Sequence, residues 1–555
     1  MTGSIPSTVD VVVVGSGAAA LAGAITAGDA GLSVLILEKT DRWGGTTACS
    51  GGGMWVPNHP LMAENGMADS RAESWDYLTN AAGDCGPATS PDRMAAFIDA
   101  GPEMVAHFGH LGMRWEFTYY PDYYPQLPGA KVGRGLACPI IDGSELGEDL
   151  KTLRQQDHPI PLVFERHEFM ALLAPFRKFG HLWMLARIIA RTLRWKLSGR
   201  TALLAGRATM GELMRLARKS GADLLLEADV EAFERRDGRV DTVLFRHNGR
   251  HVRVQARKAV LVAAGGYSRN DAFRRRYQPM GGEFTTTAPG DTGQPIEAAM
   301  ALGADTALME EGWWMPVVRL PDGNNSLTLT ERSLPHSLIV DQQAQRYLNE
   351  AQPYCDCGRA MLDHAGAEAS WLIMDRRHRN NYAFTYLGAR QMPREWLDGG
   401  FMIKAASLRE LAEKTGLDAD ALSATIDRFN GFARKGVDED FQRGGNRFDN
   451  GWGDPFHGPN PNLGTLEKPP FYAIRIWPGD LGTKGGLLTD GDGRVMDREG
   501  QPIAGLYAAG NSAASVMGRC YPGPGGTLGP GMVYAWLAMR HAAAEHGKCH
   551  HDRSG

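Results

Sequence analysis

The chain has no apolar run of about 18 residues, so no membrane-crossing helix is expected. Its N-terminus is short and polar, and Val11-Val12-Val13-Val14 already reads as a core strand, so no signal peptide is expected before it. CxxC pairs are missing as well. The seven cysteines (Cys49, Cys85, Cys138, Cys355, Cys357, Cys520 and Cys549) are scattered, which argues against a zinc ribbon or a thioredoxin-type motif. Cys355 and Cys357 give a weak metal signal, and free thiols in a reducing cytoplasm are the expectation, with no metal. There is no excess of positive charge either. A net charge of −5 suggests no nucleic-acid partner. The content of 43% hydrophobic and 22% charged residues is that of a globular protein. At 555 residues the chain is long enough for two or more domains. Glycine is plentiful, with 69 residues, many in clusters that suit tight turns around a ligand.

The first cluster follows the first strand directly. Gly15-Ser16-Gly17-Ala18-Ala19-Ala20 is a G-x-G-x-x-G/A turn, and an Ala-rich helix runs on to about Ala30. A second strand, Ser33 to Leu37, ends in Glu38 and Lys39. Gly15 permits the sharp turn, Gly17 lets the backbone approach a pyrophosphate, and Ala20 lets the helix pack on the strand. The helix N-terminus offers free N–H groups to phosphate. Glu38 is placed to accept hydrogen bonds from ribose hydroxyls. Strand, glycines, helix, second strand and acid in this order predict a dinucleotide cradle.

The next segment favours FAD over a nicotinamide cofactor. Gly44-Gly45-Thr46-Thr47 and Ser50-Gly51-Gly52-Gly53 form a second Gly/Thr-rich loop, an arrangement that resembles the glutathione-reductase-like and fumarate-reductase-like flavoproteins. Two distant stretches fit the same resemblance. Lys258 to Gly266 reads as a buried strand ending at Ala264 and Gly265, and Leu506 to Asn511 reads as a returning strand that closes on Gly510 and Asn511. Val230 is a candidate for backbone contact with the adenine. No histidine stands where a covalent flavin link is expected, so the FAD is read as noncovalent.

The C-terminal signature Gly518-Arg519-Cys520-Tyr521-Pro522-Gly523-Pro524-Gly525-Gly526-Thr527-Leu528-Gly529 precedes an apolar helix from Met532 to about Ala544. Such a rigid loop presents backbone N–H groups at a helix N-terminus, where they stabilise negative charge on a reduced flavin or on a substrate oxyanion. Gly526 and Leu528 are counted among the cofactor contacts.

The chain resembles the 3-ketosteroid Δ1-dehydrogenases over most of its length. The matching stretches include Pro121-Asp122-Tyr123-Tyr124, Arg346-Tyr347-Leu348-Asn349-Glu350 with Pro353-Tyr354, Asp480 to Gly486, and Tyr521 to Gly525. The resemblance implies that the Tyr521 hydroxyl and the Gly525 N–H bind the C3 carbonyl of a steroid. It implies that Tyr354 takes the C2 proton, that Tyr123 relays it, and that flavin N5 accepts a hydride from C1. A tyrosine with an ordinary pKa of about 10 acts as a base near neutrality only if neighbours stabilise its phenolate. The second tyrosine is expected to supply part of that.

The fold class implied is α/β: a Rossmann-like FAD domain with a parallel sheet, plus an α+β substrate-capping domain. The expected limits are 1–312 and 467–555 for the FAD domain and 313–466 for the cap, with one helical stretch from Ser407 to about Lys435. A basic amphipathic insertion spans about 165–205. From Phe176 to Arg200 it has many bases and no acid. Leu182, Leu185, Ala186, Ile189, Leu193 and Leu197 recur at helical spacing, Arg187, Arg191 and Arg194 line another face, and Trp183 and Trp195 are available for an interface. Three readings stand: an anionic membrane surface, packing on the protein's own core, or an oligomer contact. The first would place a cytoplasmic protein on the inner face of the cell membrane and admit sterols such as cholest-4-en-3-one. With no second nucleotide cradle, a quinone or other external carrier is expected to reoxidise the flavin. The competing functions are a Δ4-dehydrogenase, a fumarate-reductase-like enzyme and a non-enzymatic flavin sensor.

Overall fold

The computed structural model describes residues 5–366 and 368–551. Its centre is the strand Thr8–Val14, paired in parallel with Val34–Leu37 on one side and Arg250–Val262 on the other. Two layers bury this valine run. Val11 and Val13 pack with Leu21 and Ala535, while Val12 and Val14 pack with Phe233 and Ile296. A β-branched run buried on both faces is the signature of a parallel sheet. Asp223–Leu225 and Pro502–Ala508 extend the parallel pairing at the two sides. Arg494–Met496 and the hairpin Asp229–Arg236/Arg239–His247 pair antiparallel, completing eight strands. The last parallel strand comes from the far end of the chain, as the glycine-flanked Leu506 to Asn511 stretch suggested.

The helix Ala18–Asp29 packs on this sheet beside the C-terminal helix Leu528–His551, which also touches Arg250–Val262 and Pro502–Ala508. A second sheet of six strands is wholly antiparallel, with Phe471–Thr483 at its centre beside Gly312–Arg319 and Ser370–Met374. The helix Tyr354–Ala365 packs on Gly312–Arg319.

Two expectations need correction. The helical stretch from Ser407 is two helices, Leu408–Thr415 and Ala419–Lys435. Gly416 ends the first in the left-handed region at φ 77°, and the Asp418 side chain caps the second. The capping sheet also runs past residue 466: Phe471–Thr483 still belongs to it, and the chain rejoins the first sheet only at Arg494–Met496. One unbroken strand across this stretch leaves no composition break to read.

The basic segment forms the helix Phe179–Leu197 with its apolar stripe turned outward. The face toward the protein is His181, Ile188 and Thr192. Arg191 lies on the inner side, donating to the Val163 carbonyl at 2.9 Å and pairing with Glu165 and Glu168. Phe179, Trp183 and Leu197 are 86%, 67% and 88% exposed. No described helix is long and apolar enough to cross a membrane.

One ion pair fastens the helix Asp271–Tyr277 to the second sheet. Arg274 donates to Asp480 at 2.7 Å, and both are buried. Thr285 Oγ1 and the Gly482 N–H complete the carboxylate's partners at 2.8 and 2.9 Å. Asp480→Ala strands a buried guanidinium, with an expected cost of about 3–5 kcal/mol. Thermal unfolding checks this, and a variant melting like the parent refutes it.

Candidate active site

A cavity of about 1770 Å³ runs between the two sheets. That exceeds the roughly 300–1,000 Å³ of a pocket for one small ligand. All of the expected cofactor residues line it except Gly526. The Gly526 N–H closes a turn on the Gly523 carbonyl at 3.0 Å.

The cradle fits a dinucleotide. Gly15 has φ 104°, and a Cβ there would meet the Ala263 carbonyl oxygen at 2.3 Å. The helix Ala18–Asp29 begins at Gly17 with no side-chain cap and no acid in its first turn. Its positive end therefore serves an anion in the cavity. Glu38 is held by Ser16 Oγ at 2.5 Å and the Thr40 N–H at 3.0 Å. Ser16 also accepts from the Gly44 N–H at 3.0 Å, which joins the two glycine loops. Lys39 reaches Asp229 at 3.4 Å and Thr292 at 3.0 Å. The Ala288 N–H donates to Thr46 Oγ1 at 2.9 Å. Asp291 lines the cavity too; burial pushes its carboxyl up to about 6, and the Gly266 N–H donates to it. Asp291 stands in the turn Gly290-Asp291-Thr292-Gly293 ahead of the helix Gln294–Ala301, and nothing in the sequence marks it as a wall of the site.

At the other end of the cavity three phenols meet. The Tyr354 and Tyr521 rings are 4.6 Å apart, Tyr123 and Tyr521 5.4 Å, and Tyr123 and Tyr354 5.5 Å. They come from distant places in the chain. Tyr354 opens its helix, Tyr521 sits in the Pro/Gly loop, and Tyr123 lies in the aromatic run. The Tyr123 N–H donates to the Pro522 carbonyl at 2.9 Å, and the Tyr77 hydroxyl donates to the same oxygen at 2.5 Å. Asp122 anchors that run through the Trp55 indole and Arg134, each at 2.8 Å. Tyr123 and not Tyr124 faces the cavity; the Tyr124 hydroxyl turns to Asp356 at 3.1 Å. Gly525 lies at φ 97°, where a Cβ would meet Gly53 backbone at 2.3 Å. Its carbonyl accepts the Trp55 and Gly529 N–H groups, each at 3.0 Å. Phe448 and Trp313 pack on the cluster and had no signature in the sequence.

The electrostatics differ from the sequence expectation. Burial pushes Tyr354 well above the ordinary tyrosine value, and Tyr123 and Tyr521 add to the rise instead of opposing it. Tyr123 is also pushed well up by burial. Burial raises Tyr521 as well, while the Tyr354 and Thr527 hydroxyls and the Gly525 amide oppose the rise. The substrate-free cluster is therefore three neutral phenols, with Tyr521 the most supported for holding negative charge. Thr527 escaped notice in the sequence because it sits among glycines that read as pure backbone.

The FAD binding domain model matches residues 10–528. A 3-oxosteroid 1-dehydrogenase from Mycolicibacterium smegmatis is 40% identical over 557 residues, covering 96% of this chain and 97% of that protein. The chain belongs to this family. A Mycobacterium tuberculosis 3-oxosteroid 1-dehydrogenase is 39% identical, covering 97% of this chain and 99% of its own. The 3-ketosteroid Δ1-dehydrogenase of Sterolibacterium denitrificans, solved with 1,4-androstadiene-3,17-dione, superposes with a TM-score of 0.91 at 36% identity, covering 97% of this chain and 100% of that one. The cofactor of this family member is FAD, and the cradle described above fits it. Gly15→Ala should purify with most of its flavin lost, as read from the ratio of 450 to 280 nm absorbance. Full flavin content in that variant would show that the turn does not touch the cofactor.

Proposed function

We propose that this chain removes two hydrogens from the A ring of a 3-ketosteroid, turning a 3-oxo-Δ4 into a 3-oxo-Δ1,4 product. The observation that carries the reading is the convergence of Tyr123, Tyr354 and Tyr521 beside the Gly525 amide in one cavity with the cradle. Tyr521 and Gly525 hold the C3 oxygen and draw electron density from the ketone, which acidifies C2. Tyr354 takes the C2 proton, and Tyr123 passes it on. Bound FAD, held without a covalent link, supplies the acceptor for the hydride that leaves C1 with its electron pair, so that a C1–C2 double bond remains. A dicarboxylate reductase would need cations around the reacting carbon, and here the neighbours are phenols, Phe448 and Trp313.

The neutral resting state of Tyr354 fixes a sign. Below a raised pKa the basic form of the free enzyme grows with pH, so kcat/KM should climb through neutrality without levelling before the ordinary tyrosine value of about 10. Tyr354→Phe should abolish that climb. Tyr521→Phe should lower kcat roughly 100-fold. The test is incubation with androst-4-ene-3,17-dione and an artificial electron acceptor, followed by identification of the new double bond. A product unsaturated elsewhere, or no product, overturns the reading.

The finer reading concerns the substrate's source and the electrons' exit. The helix Phe179–Leu197 rests, in this proposal, on an anionic lipid surface on the cytoplasmic side, and an external carrier such as a quinone reoxidises the flavin. Its outward Phe179, Trp183, Leu193 and Leu197 suit an acyl boundary, and exposed Arg187, Arg194 and Lys196 suit anionic headgroups. Pro159, Ile160, Leu162 and Phe164, just ahead of the helix, line the cavity, so lipid-dissolved sterols would enter beside it. Phosphatidylglycerol vesicles should sediment with the protein and phosphatidylcholine vesicles should not. Replacing Trp183, Leu193 and Leu197 by serine should release it, and equal sedimentation of parent and variant refutes the contact.

A further inference from the structure

Lys484 lies behind the cavity wall, in the stretch where the capping sheet ends. Its residue is 1% exposed. The ammonium donates to the Cys520 carbonyl at 2.7 Å and stands 4.5 Å from the centre of the Trp313 ring. Burying an ammonium is costly, and an apolar side chain of similar length would fill the same space, so packing alone does not account for a lysine here.

The Cys520 carbonyl shares its peptide plane with the Tyr521 N–H, and that group is held as well. It donates to the Tyr124 hydroxyl at 3.3 Å, which in turn donates to Asp356 Oδ1 at 3.1 Å. Asp356 is half-buried in the first turn of the Tyr354 helix; desolvation pushes its carboxyl up, and Tyr124, Lys484 and Arg359 pull it back. One peptide thus has a cation on its oxygen and a carboxylate-backed hydroxyl on its nitrogen. Trp313, under the ammonium, also meets the Tyr521 ring edge-on at 5.3 Å.

We propose that Lys484 is a positioning residue for the reaction: it clamps the Cys520–Tyr521 peptide against Tyr124 and Asp356, and so sets the Tyr521 hydroxyl where the substrate ketone must meet it. This rests on the reading that Tyr521 polarises the ketone. Such a clamp acts only through Tyr521. A cation that merely stabilises the fold would act whether or not the Tyr521 hydroxyl is present.

A kinetic double-mutant cycle separates the two. The flavin-loaded full chain is assayed with androst-4-ene-3,17-dione as parent, Lys484→Met, Tyr521→Phe and the double variant. Lys484→Met is expected to lower kcat on the order of 10- to 100-fold, the size of effect that misplacement of a catalytic group produces, and to change KM little. In the Tyr521→Phe background it is expected to cause almost no further loss. Tyr124→Phe, which removes one oxygen only, is expected to behave the same way and keeps the question open to experiment should Lys484→Met fail to accumulate. Equal losses in both backgrounds, or full kcat in Lys484→Met or in Tyr124→Phe, overturn the clamp while leaving the role of Tyr521 standing. Full turnover by Tyr521→Phe alone overturns both.

Discussion

The Pro522 carbonyl accepts the Tyr123 amide and the Tyr77 hydroxyl at once. This joint ties the aromatic run near residue 120 to the Pro/Gly loop near residue 520. With the Tyr521 N–H bond to the Tyr124 hydroxyl it fixes how two of the three phenols stand to each other, since no strand or helix carries both. Asp122 and Arg134 stiffen one side of the joint, and the Lys484 and Tyr124 contacts stiffen the other. A site on rigid supports keeps its groups within the narrow tolerance that proton transfer requires. Here the supports are buried or half-buried polar contacts, which hold the loops more firmly than exposed ones would.

Dryness has a second effect. It holds the phenols neutral, and Tyr123 and Tyr521 push Tyr354 further in that direction. The cluster therefore holds no ready base before substrate arrives. In the proposed reaction a ketone held by Tyr521 and Gly525 would shift the balance by making C2 more acidic, so that the acidity of the substrate would count as much as the basicity of the phenol. A permanently ionised tyrosine would cost far more to bury.

Much of the cradle could be read directly from the sequence, because each step of it is local. A β-branched strand, a glycine turn, a small-residue helix and a terminal acid occupy consecutive positions, and each is dictated by backbone geometry. The tyrosine cluster could be read only through its likeness to a family. Nothing in the spacing of Tyr123, Tyr354 and Tyr521 says that they touch, and Tyr124 carries the same chemistry one position along. Alternation of side-chain direction separates the neighbours, and that is set by where the Tyr123 amide docks. Phe448, Trp313, Thr527 and Asp291 were missed for the same reason: each becomes part of the site through a contact hundreds of residues away or through a loop that reads as turn. The cap boundary was missed because Phe471–Thr483 is one unbroken strand.

The sheet that carries the cofactor closes with Pro502–Ala508 against Arg250–Val262, strands from opposite halves of the sequence. During synthesis the N-terminal strands must wait for almost the entire polypeptide to leave the ribosome before their outer neighbour exists. Until then the Val260–Val262 end of that edge, beyond the part paired with Arg239–His247, is open and apolar, a short exposed template for other nascent chains. Production of this protein is therefore expected to respond to chaperone supply and growth temperature more than its final stability alone would suggest.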